Sequence, residues 1–307
     1  MSLISVIIPT YNRTNVLSES IQSALDQTYE DIEVIVVDDS SSTDITSVIN
    51  SFSDPRIKYI RHDQNKGAAA ARNTGIQYSS GDYISFLDDD DLWREKKLEL
   101  QLRTFRDSPD NVGLVYTGSY KTDKDAKVIA VDNPTIGGDV TSKLLKSHFV
   151  GSFSRVMVKS NLINGSVTLD EQFPRWQDWE WYIRISKKCR FKPISDPLVN
   201  ERITDNKQIS SDFDRLVAAK ELFEKKYTPI AKEIGYVTYR KMKAETNFRV
   251  GRAALSQTNH RAGRDYLSTS IKYYPTKKSV LRYIISLLGE SAYEFATKVK
   301  RNLAGVS

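Results

Sequence analysis

The sequence has little of what disulfide-bonded, zinc-binding and membrane-spanning proteins depend on. Its 307 residues include one cysteine, Cys189, so no disulfide can form within the chain. The three histidines, His62, His148 and His260, lie far apart with no cysteine cluster, which argues against a zinc site. No apolar run reaches the roughly 18 residues that span a membrane, and Leu3 to Ile8 is too short for a signal peptide. We therefore expect a cytoplasmic protein.

A glycine-rich phosphate loop is also missing. The first predicted strand, residues 5–8, is followed by Pro9, Thr10, Tyr11 and Asn12 rather than by G-x-G-x-x-G or a Walker sequence. Nothing resembles a DNA- or RNA-binding motif, so we expect no nucleic-acid partner. A diphosphate bound by this chain would need a partner other than a glycine loop, and a metal ion is the natural one.

Charge is distributed unevenly along the chain. Residues 201–307 hold 21 Lys+Arg against 11 Asp+Glu, a surplus of 10, so residues 1–200 carry the difference between +6 and +10, which is −4. A basic C-terminal third favours anionic membrane surfaces or acidic ligands, although a solvated helical surface explains it equally well. We expect a domain at 1–205 and a basic helical region at 206–307.

Residues 1–90 alternate between short apolar runs and helical patterns. The sequence predicts strands at residues 5–8, 32–37, 57–60 and 83–87, with a helix after each of the first three. Strands alternating with helices are typical of a parallel α/β sheet with a nucleotide-binding half. Beyond about residue 212 the pattern is helical only. The predicted helices there are 212–227, 230 to about 257, 262–273, and 277 to about 300.

The fourth predicted strand ends in four consecutive carboxylates, Asp88 to Asp91. The carboxyl end of a core strand is where open α/β sheets bind ligands, and a hard cation relieves the repulsion between such carboxylates. Mg²⁺ or Mn²⁺, completed by diphosphate oxygens, is our expected cofactor. The alternatives are a solvated acidic turn or a helix N-terminus, for which Asp91 is the expected cap.

Five motifs, in order, resemble those of the family 2 glycosyltransferases of the GT-A fold, and the resemblance covers roughly residues 3–200. The motifs are Ser5-Val-Ile-Ile-Pro-Thr-Tyr-Asn-Arg13, Val36-Val-Asp-Asp-Ser-Ser41, Asn65-Lys-Gly-Ala-Ala-Ala-Ala-Arg-Asn-Thr-Gly75, Phe86-Leu-Asp-Asp-Asp-Asp91 and Gln177-Asp-Trp-Glu180. The resemblance implies a Rossmann-like nucleotide-binding sheet flanked by helices, here with an α-helical C-terminal region. It also implies a nucleoside-diphosphate sugar as donor, with UDP as the default nucleotide.

The resemblance implies a role for several residues in donor binding. Thr10, Tyr11 and Asp39 would hold the nucleoside, and Asp63 would add a base or ribose contact. Arg72 would face the diphosphate, where a guanidinium neutralises phosphate charge. The family's Asp-x-Asp corresponds to residues 88–90. Asp90 would be the metal ligand, Asp88 would lie near the ribose or the metal, and Asp89 would belong to the donor site.

The resemblance also implies the chemistry. The Gln177-Asp178 pair corresponds to the family's general base motif, so Asp178 would deprotonate an acceptor hydroxyl in a single displacement with inversion. Trp176, Trp179 and Glu180 would shape the acceptor pocket, whereas Trp181 is expected in the core. From the residues alone, Asp178 also fits an acid at a helix N-terminus.

Two other functions remain open at the level of the sequence. A sugar-phosphate nucleotidyltransferase also combines a nucleotide-binding sheet with acidic metal ligands, but it calls for a glycine-rich basic loop after the first strand. A catalytically inactive sugar-nucleotide-binding module is the non-enzymatic alternative. We expect a glycan or lipid-linked acceptor and peripheral contact of the basic helices with an anionic membrane at its inner face. The sequence predicts no oligomeric state.

Overall fold

The computed structural model describes residues 2–123, 125–165, 167–203 and 213–288. The chain divides into two units. The first comprises Met1–Val140, Phe149–Glu171 and Gln177–Thr204, and the second comprises Thr141–His148, Gln172–Trp176 and Asp205–Ser307. The predicted boundary after residue 205 lies outside the described residues.

The first unit is built on one mixed sheet. Its strands within the described residues are β1 Ile4–Thr10, β2 Ile32–Asp38, β3 Ile57–Arg61, β4 Tyr83–Phe86, β5 Leu92–Trp93, β6 Val112–Thr122, β7 Val128–Asp132, β8 Val156–Lys159 and β9 Arg190–Arg202. Their order is β3-β2-β1-β4-β8-β6-β9-β5, and β7 pairs with β6. The α-helices of the described residues, in both units, are α1 Thr14–Leu25, α2 Ile45–Asn50, α3 Ala68–Gln77, α4 Lys97–Arg106, α5 Thr141–Lys146, α6 Gln177–Ser186, α7 Phe213–Ile234, α8 Tyr236–Ser256, α9 His260–Tyr273 and α10 Lys277–Leu287.

The half of the sheet formed by β3, β2, β1 and β4 is parallel, as the sequence predicts. Every residue of β1 and β2 is buried, because helices cover both faces of a parallel sheet. Helix α3 lies close to β1, and a Cβ at Gly75 would come within 2.3 Å of Ile7 Cγ2. The parallel pairing of the strands brings the carboxyl ends of β1, β2 and β4 to one edge of the sheet.

The expected end of the first strand at Pro9 is wrong, because β1 continues to Thr10. The partner strand β4 pairs only with Ile4 to Ile7, so the missing N–H of Pro9 lies beyond the end of that ladder. The other half of the sheet departs from a parallel arrangement. Strand β8 is antiparallel to both β4 and β6, and β5 is antiparallel to β9.

The expected helix cap at Asp91 is also wrong. The residues after Asp91 form the short strand β5, and α4 begins only at Lys97. Leu92 and Trp93 pair with Asn200 and Val199 of β9, a long-range contact that local sequence patterns do not report.

The second unit contains α5 and α7 to α10. The predicted break near Pro229 is wrong, since Pro229 lies inside α7 and the helix ends at Ile234. Tyr227 and Ala231 are buried on either side of Pro229, so the buried face of α7 continues through it. The break falls instead at Gly235, whose φ of +145° suits glycine.

Some helix ends predicted for this region cannot be compared with the structure. The predicted start at Asp212 and the predicted extension of α10 from 289 to about 300 lie outside the described residues. Within the described residues, no helix combines the length and the apolar character that a bilayer crossing requires.

Candidate active site

The loops after β1 and β2 are tied to each other at the carboxyl edge of the sheet. Asn12 and Ser40 both have positive φ, at 56° and 65°. The Asn12 Oδ1 accepts hydrogen bonds from the Ser42 backbone N–H at 2.7 Å and from its hydroxyl at 3.0 Å. Asparagine tolerates this left-handed conformation better than most residues, so the loop can turn sharply here. The turn directs Thr10 and Arg13 toward the end of β4.

Three of the four consecutive aspartates are held in one polar cluster with two arginines. Thr10 Oγ1 donates to Asp89 Oδ2 at 2.8 Å, and Arg13 Nη1 lies 3.0 Å from Asp89 Oδ1. Arg13 also pairs with Asp90. Arg72, which α3 supplies, pairs with Asp88. The structure therefore brings together the predicted residues Thr10, Arg72 and Asp88 to Asp90.

Burial and like charge make this cluster unfavourable for full ionisation. Burial raises the pKa of Asp89 to about 6, against the lowering effect of Arg13, and the neighbouring Asp90 and Asp88 raise it further. Burial also raises the pKa of Asp90, and the charge of Asp88 adds to the shift. Carboxylates that repel each other at a sheet edge are favourable ligands for added positive charge.

The carboxylates of Asp88 and Asp90 suit a hard divalent cation. Their side chains keep 27% and 20% of their surface exposed, whereas Asp89 is nearly buried. Among the described residues, no group of three or more His, Cys, Asp or Glu side chains could hold a metal by itself. Mg²⁺ and Mn²⁺ sites in nucleotide enzymes use one or two carboxylates plus phosphate oxygens, so this donor set fits a site that diphosphate completes.

Asp91 points into the protein instead of into the cluster. Its Oδ2 accepts from the Ser154 hydroxyl at 2.6 Å, and its Oδ1 accepts from the Arg202 backbone N–H at 3.3 Å. Burial, followed by the charges of Asp88 and Asp90, holds the pKa of Asp91 well above its ordinary value. Asp91 thus ties the end of β4 to the loop before β8 and to the end of β9.

Arg72 is mostly buried beside this cluster. Its guanidinium lies 4.4 Å from the centre of the Phe153 ring, and Nη1 donates to the Ala68 carbonyl at 3.3 Å. Its Nε is buried and has no hydrogen-bond partner among the described residues. The guanidinium itself pairs with Asp88 at the edge of the cluster, a position that fits the predicted role of Arg72 toward a diphosphate.

Asp39, at the end of β2, organises the loop before α3. Its Oδ1 accepts from the Lys66 backbone N–H and from His62 Nδ1, both at 2.8 Å, and its Oδ2 accepts from the Gly67 N–H at 2.7 Å. Since a carboxylate oxygen accepts, His62 Nδ1 is the donor to Asp39, and His62 Nε2 lies within hydrogen-bond distance of Thr74 Oγ1, at 2.8 Å. Oδ2 thereby retains capacity for one further donor.

Tyr11 and Asp63 lie near the same strand ends and are exposed. Tyr11 keeps 46% of its surface accessible, and Asp63 is exposed in the loop after β3. The Asp63 carbonyl accepts a long hydrogen bond, 3.4 Å, from the Ser40 hydroxyl, so the loops after β2 and β3 are adjacent. Both positions are compatible with contact to a bound nucleoside, and their roles stay predictions.

Asp178 lies in the first turn of α6, half-buried, and its Oδ1 accepts from the Trp179 backbone N–H at 2.7 Å. Tyr182 follows one turn later and packs against Phe153, whose ring also contacts the guanidinium of Arg72. Burial raises the pKa of Tyr182, and the charges of both Asp178 and Asp88 raise it further. Phe153 thus lies between Tyr182 of α6 and Arg72, which pairs with Asp88.

The residues expected around the acceptor do not form one exposed surface. Trp179 and Glu180 are fully buried, and Glu180 is paired with Arg184 at 2.7 Å, so neither side chain has surface from which to contact an acceptor directly. Trp181 is in the core, as expected. Trp176 belongs to the second unit, where its ring meets Phe223 edge-on at 5.9 Å, and its acceptor role stays a prediction.

Sequence analysis missed two residues of the site. The first is Arg13, which follows the first strand, where a cation is a natural partner for the acids after the fourth strand. The second is His62, which the histidine spacing considers only as a zinc ligand. Its position directly after β3 was the available signal for a partner of the acid that ends β2.

Comparison with known proteins agrees with this geometry. Residues 5–161 match the family model described as glycosyl transferase family 2. An uncharacterized glycosyltransferase of Rickettsia bellii is 42% identical over 146 residues, 47% of this chain. The Escherichia coli UDP-Glc:alpha-D-GlcNAc-diphosphoundecaprenol beta-1,3-glucosyltransferase WfgD is 38% identical over 199 residues, 63% of this chain. The matched segments span 21% of the Rickettsia protein and 73% of WfgD.

Solved structures with low sequence identity share the fold. Mannosyltransferase PcManGT from Pyrobaculum calidifontis, in complex with GDP-Man and Mn²⁺, superposes with a TM-score of 0.59 at 18% identity, covering 98% of this chain and 85% of that one. S. aureus TarS 1-349 in complex with UDP-GlcNAc gives a TM-score of 0.57 at 13% identity, with coverages of 96% and 92%. The predicted GT-A fold with a helical C-terminal region is confirmed.

Proposed function

Because the chain belongs to glycosyl transferase family 2, we propose that it moves a sugar from a nucleoside-diphosphate sugar to a hydroxyl of a glycan or lipid-linked acceptor, with inversion. The predicted family is confirmed, and the prediction of a glycosyltransferase is confirmed at the level of the family. Membership also favours glycosyl transfer over nucleotidyl transfer and over a binding module. The observation that carries the proposal is the convergence of Thr10, Arg72 and three aspartates at the carboxyl ends of β1 and β4.

Donor recognition falls to the loops after β1, β2 and β3. Tyr11 offers an exposed aromatic face for stacking on a base, and Asp39 offers its remaining acceptor capacity on Oδ2 to a base N–H or ribose hydroxyl. Thr10 and the exposed Asp63 complete the nucleoside contacts. A UDP-sugar is supported by the UDP-Glc in the name of WfgD and by the UDP-GlcNAc bound to TarS.

The diphosphate is assigned to the cluster around residues 88–90. A bound Mn²⁺ or Mg²⁺ would be held by Asp90 with Asp88, and it would supply Lewis-acid stabilisation of the departing diphosphate. The Mn²⁺ complex of PcManGT supports this choice of cofactor. Arg72 pairs with Asp88 in the structure, so it must share or leave this carboxylate when its guanidinium turns to the phosphates. Asp89, which Thr10 and Arg13 hold, fixes the position of the two neighbouring acids.

We assign Asp178 the role of general base, which removes the proton of the acceptor hydroxyl. The acceptor oxygen forms its bond to C1 of the sugar while the bond from C1 to the phosphate oxygen breaks. Asp178 removes the acceptor's proton, and the nucleoside diphosphate leaves with the bonding electrons. With Asp178 acting as a base on the acceptor, the sugar is transferred in a single displacement, so the configuration at C1 inverts. Support comes from the position of Asp178 in the first turn of α6, one turn before Tyr182, which packs against Phe153 beside Arg72.

The acceptor and the location follow from the relatives by analogy. The name of WfgD specifies a diphosphoundecaprenol-linked GlcNAc, a lipid-linked acceptor. A protein that uses such an acceptor works at the membrane surface. We therefore propose a cytoplasmic protein in peripheral contact with an anionic membrane through its basic C-terminal region.

A transfer assay on two isosteric variants tests the role of Asp178. Asp178→Asn removes the base and leaves the aspartate cluster intact, so transfer from UDP-glucose or UDP-GlcNAc to a lipid-linked GlcNAc acceptor should fall by about 100-fold to 10,000-fold. UDP affinity, measured by calorimetry with Mn²⁺ present, should change less than about threefold.

Asp196→Asn is the matched control, since Asp196 is an exposed carboxylate of β9. It should retain full transfer. Proton NMR of the first product formed by the parent enzyme should show an inverted anomeric centre. An Asp178→Asn variant that transfers as fast as the parent, or a product with retained configuration, would show that the base assignment is wrong.

A further inference from the structure

Helix α10 exposes a continuous apolar face. Leu281, Ile284, Leu287 and Leu288 are 59%, 50%, 58% and 70% exposed. The spacing of Leu281, Ile284 and Leu288 places them on one side of a helix, and Leu287 lies beside them. Single exposed leucines are ordinary on a protein surface, but four within eight residues on one helix face mark an interaction surface.

The opposite side of α10 is well packed. Ser279 and Ser286 are buried, and Tyr283 and Ile285 pack against Leu255 and Leu267 of α8 and α9. The helix also begins with a capping box, in which Thr276 and Ser279 exchange hydrogen bonds. The apolar face is therefore exposed on an anchored helix.

The charge around this face is positive. Lys277 and Lys278 are exposed in the first turn of α10, where a cation opposes the helix dipole, so helix stability does not explain them. Residues 277–288 contain no acidic side chain. Across residues 213–288 there are 16 Lys+Arg against 6 Asp+Glu. The face thus combines apolar side chains with cations at its edge, the composition of helices that lie in a membrane surface.

We propose that α10 lies in the surface of an anionic lipid bilayer, with Leu281, Ile284, Leu287 and Leu288 inserted among the acyl chains and Lys277 and Lys278 among the phosphates. This inference rests on the membrane contact in the proposed function and assigns that contact to one helix. Charge selects the lipid surface over a second copy of the chain, because residues 277–288 of a second copy offer no acidic side chain to Lys277 and Lys278, whereas an anionic bilayer offers phosphates.

Vesicle co-sedimentation of the full chain tests the assignment. The parent should bind vesicles of equal parts phosphatidylglycerol and phosphatidylcholine at low salt, and should bind pure phosphatidylcholine much more weakly. Leu281→Asp/Ile284→Asp should weaken binding to the mixed vesicles on the order of 100-fold, because two apolar anchors are lost. Lys277→Glu/Lys278→Glu should weaken it by at least about tenfold.

Val131→Asp is the matched control, because Val131 is a comparably exposed apolar residue of β7. It should bind vesicles as the parent does. All variants should keep the parent's melting temperature and its affinity for UDP, which shows that folding and the donor site are intact.

The outcomes separate this inference from the function it rests on. If the parent protein does not bind anionic vesicles, both the membrane contact and the role of α10 are wrong. Glycosyl transfer is tested separately by the transfer assay. Equal binding by the parent and Leu281→Asp/Ile284→Asp overturns only the role of α10. Two further outcomes would show that protein covers the face and would also overturn the inference. One is a dimer of the parent in light scattering that becomes a monomer in Leu281→Asp/Ile284→Asp. The other is a much lower melting temperature of this variant.

Discussion

At the scale of single residues, Asp39 shows how one carboxylate serves both folding and recognition. It is nearly fully buried and accepts from two backbone N–H groups and from His62. Those bonds fix the loop that leads into α3, and with it the start of the helix that carries Arg72. His62 in turn is held by Thr74, so a chain of two side-chain hydrogen bonds helps to orient Asp39.

Removing the imidazole of His62 should therefore weaken binding of the nucleotide, although His62 itself makes no contact with the nucleotide in the proposed site. We expect His62→Ala to lower UDP affinity by about tenfold, the consequence of losing roughly one hydrogen bond to a buried charge. His62→Gln, whose amide can donate to Asp39, should recover part of the loss. Calorimetry on the three proteins measures this series. If His62→Ala binds UDP as tightly as the parent, Asp39 is not positioned by His62.

At the scale of elements, helix α4 packs against strand β4 and contacts it through Lys97. Lys97 is fully buried at the start of α4, where its Nζ donates to Ser85 Oγ of β4 at 3.1 Å and to Gln101 Oε1 at 2.9 Å. The ammonium lies 3.8 Å from the centre of the Trp93 ring. Both of these hydrogen-bond partners are neutral groups, and burial holds the pKa of Lys97 well below its usual value of 10.5.

The depressed pKa of Lys97 makes stability depend on pH in a defined direction. The unfolded chain binds a proton at this site up to a pH near 10.5, whereas the folded protein releases it at lower pH. The stabilisation is thus complete above the unfolded pKa and is lost as the pH falls through the folded pKa. We expect the free energy of unfolding of the parent, relative to Lys97→Met, to increase between about pH 7.5 and about pH 9.5, by up to about 1.4 kcal/mol per pH unit.

Urea titrations of both proteins at the two pH values give this difference. Comparison with Lys97→Met cancels the titration of all other groups, which the two proteins share. A difference that stays constant with pH would show that Lys97 keeps its ordinary pKa in the folded protein.

The elements also show how far a sequence can be interpreted locally. The strands and helices of residues 4–86 were predictable because each apolar run is bounded by clear turn residues and both faces of β2 are buried. Strand β9 was not predicted, since Pro193 and Pro197 argue against a strand. The structure tolerates them because β9 pairs with β6 through shifts in register around Gly118, a long-range arrangement that leaves no local signal.

At the scale of the whole molecule, the order of the parallel strands decides which distant residues meet. The sequence identified the acids after β4 and the polar loop after β1 as parts of one site, because parallel strands place their carboxyl ends at one edge. It could not show that Asp91 turns inward to Ser154, or that Asp91 also accepts from the Arg202 backbone N–H at the end of β9. Those partners depend on side-chain packing from segments far apart in the chain.

The proposed function depends on joint binding of a cation and a nucleotide at residues 88–90. Calorimetry of UDP binding in the presence of Mn²⁺ or of EDTA tests this joint binding most directly. UDP should bind at least about tenfold more tightly with Mn²⁺ than with EDTA, since diphosphate and carboxylates share the cation. Asp90→Asn should lose most of this difference. Equal UDP affinity in Mn²⁺ and EDTA, for parent and variant alike, would contradict the account.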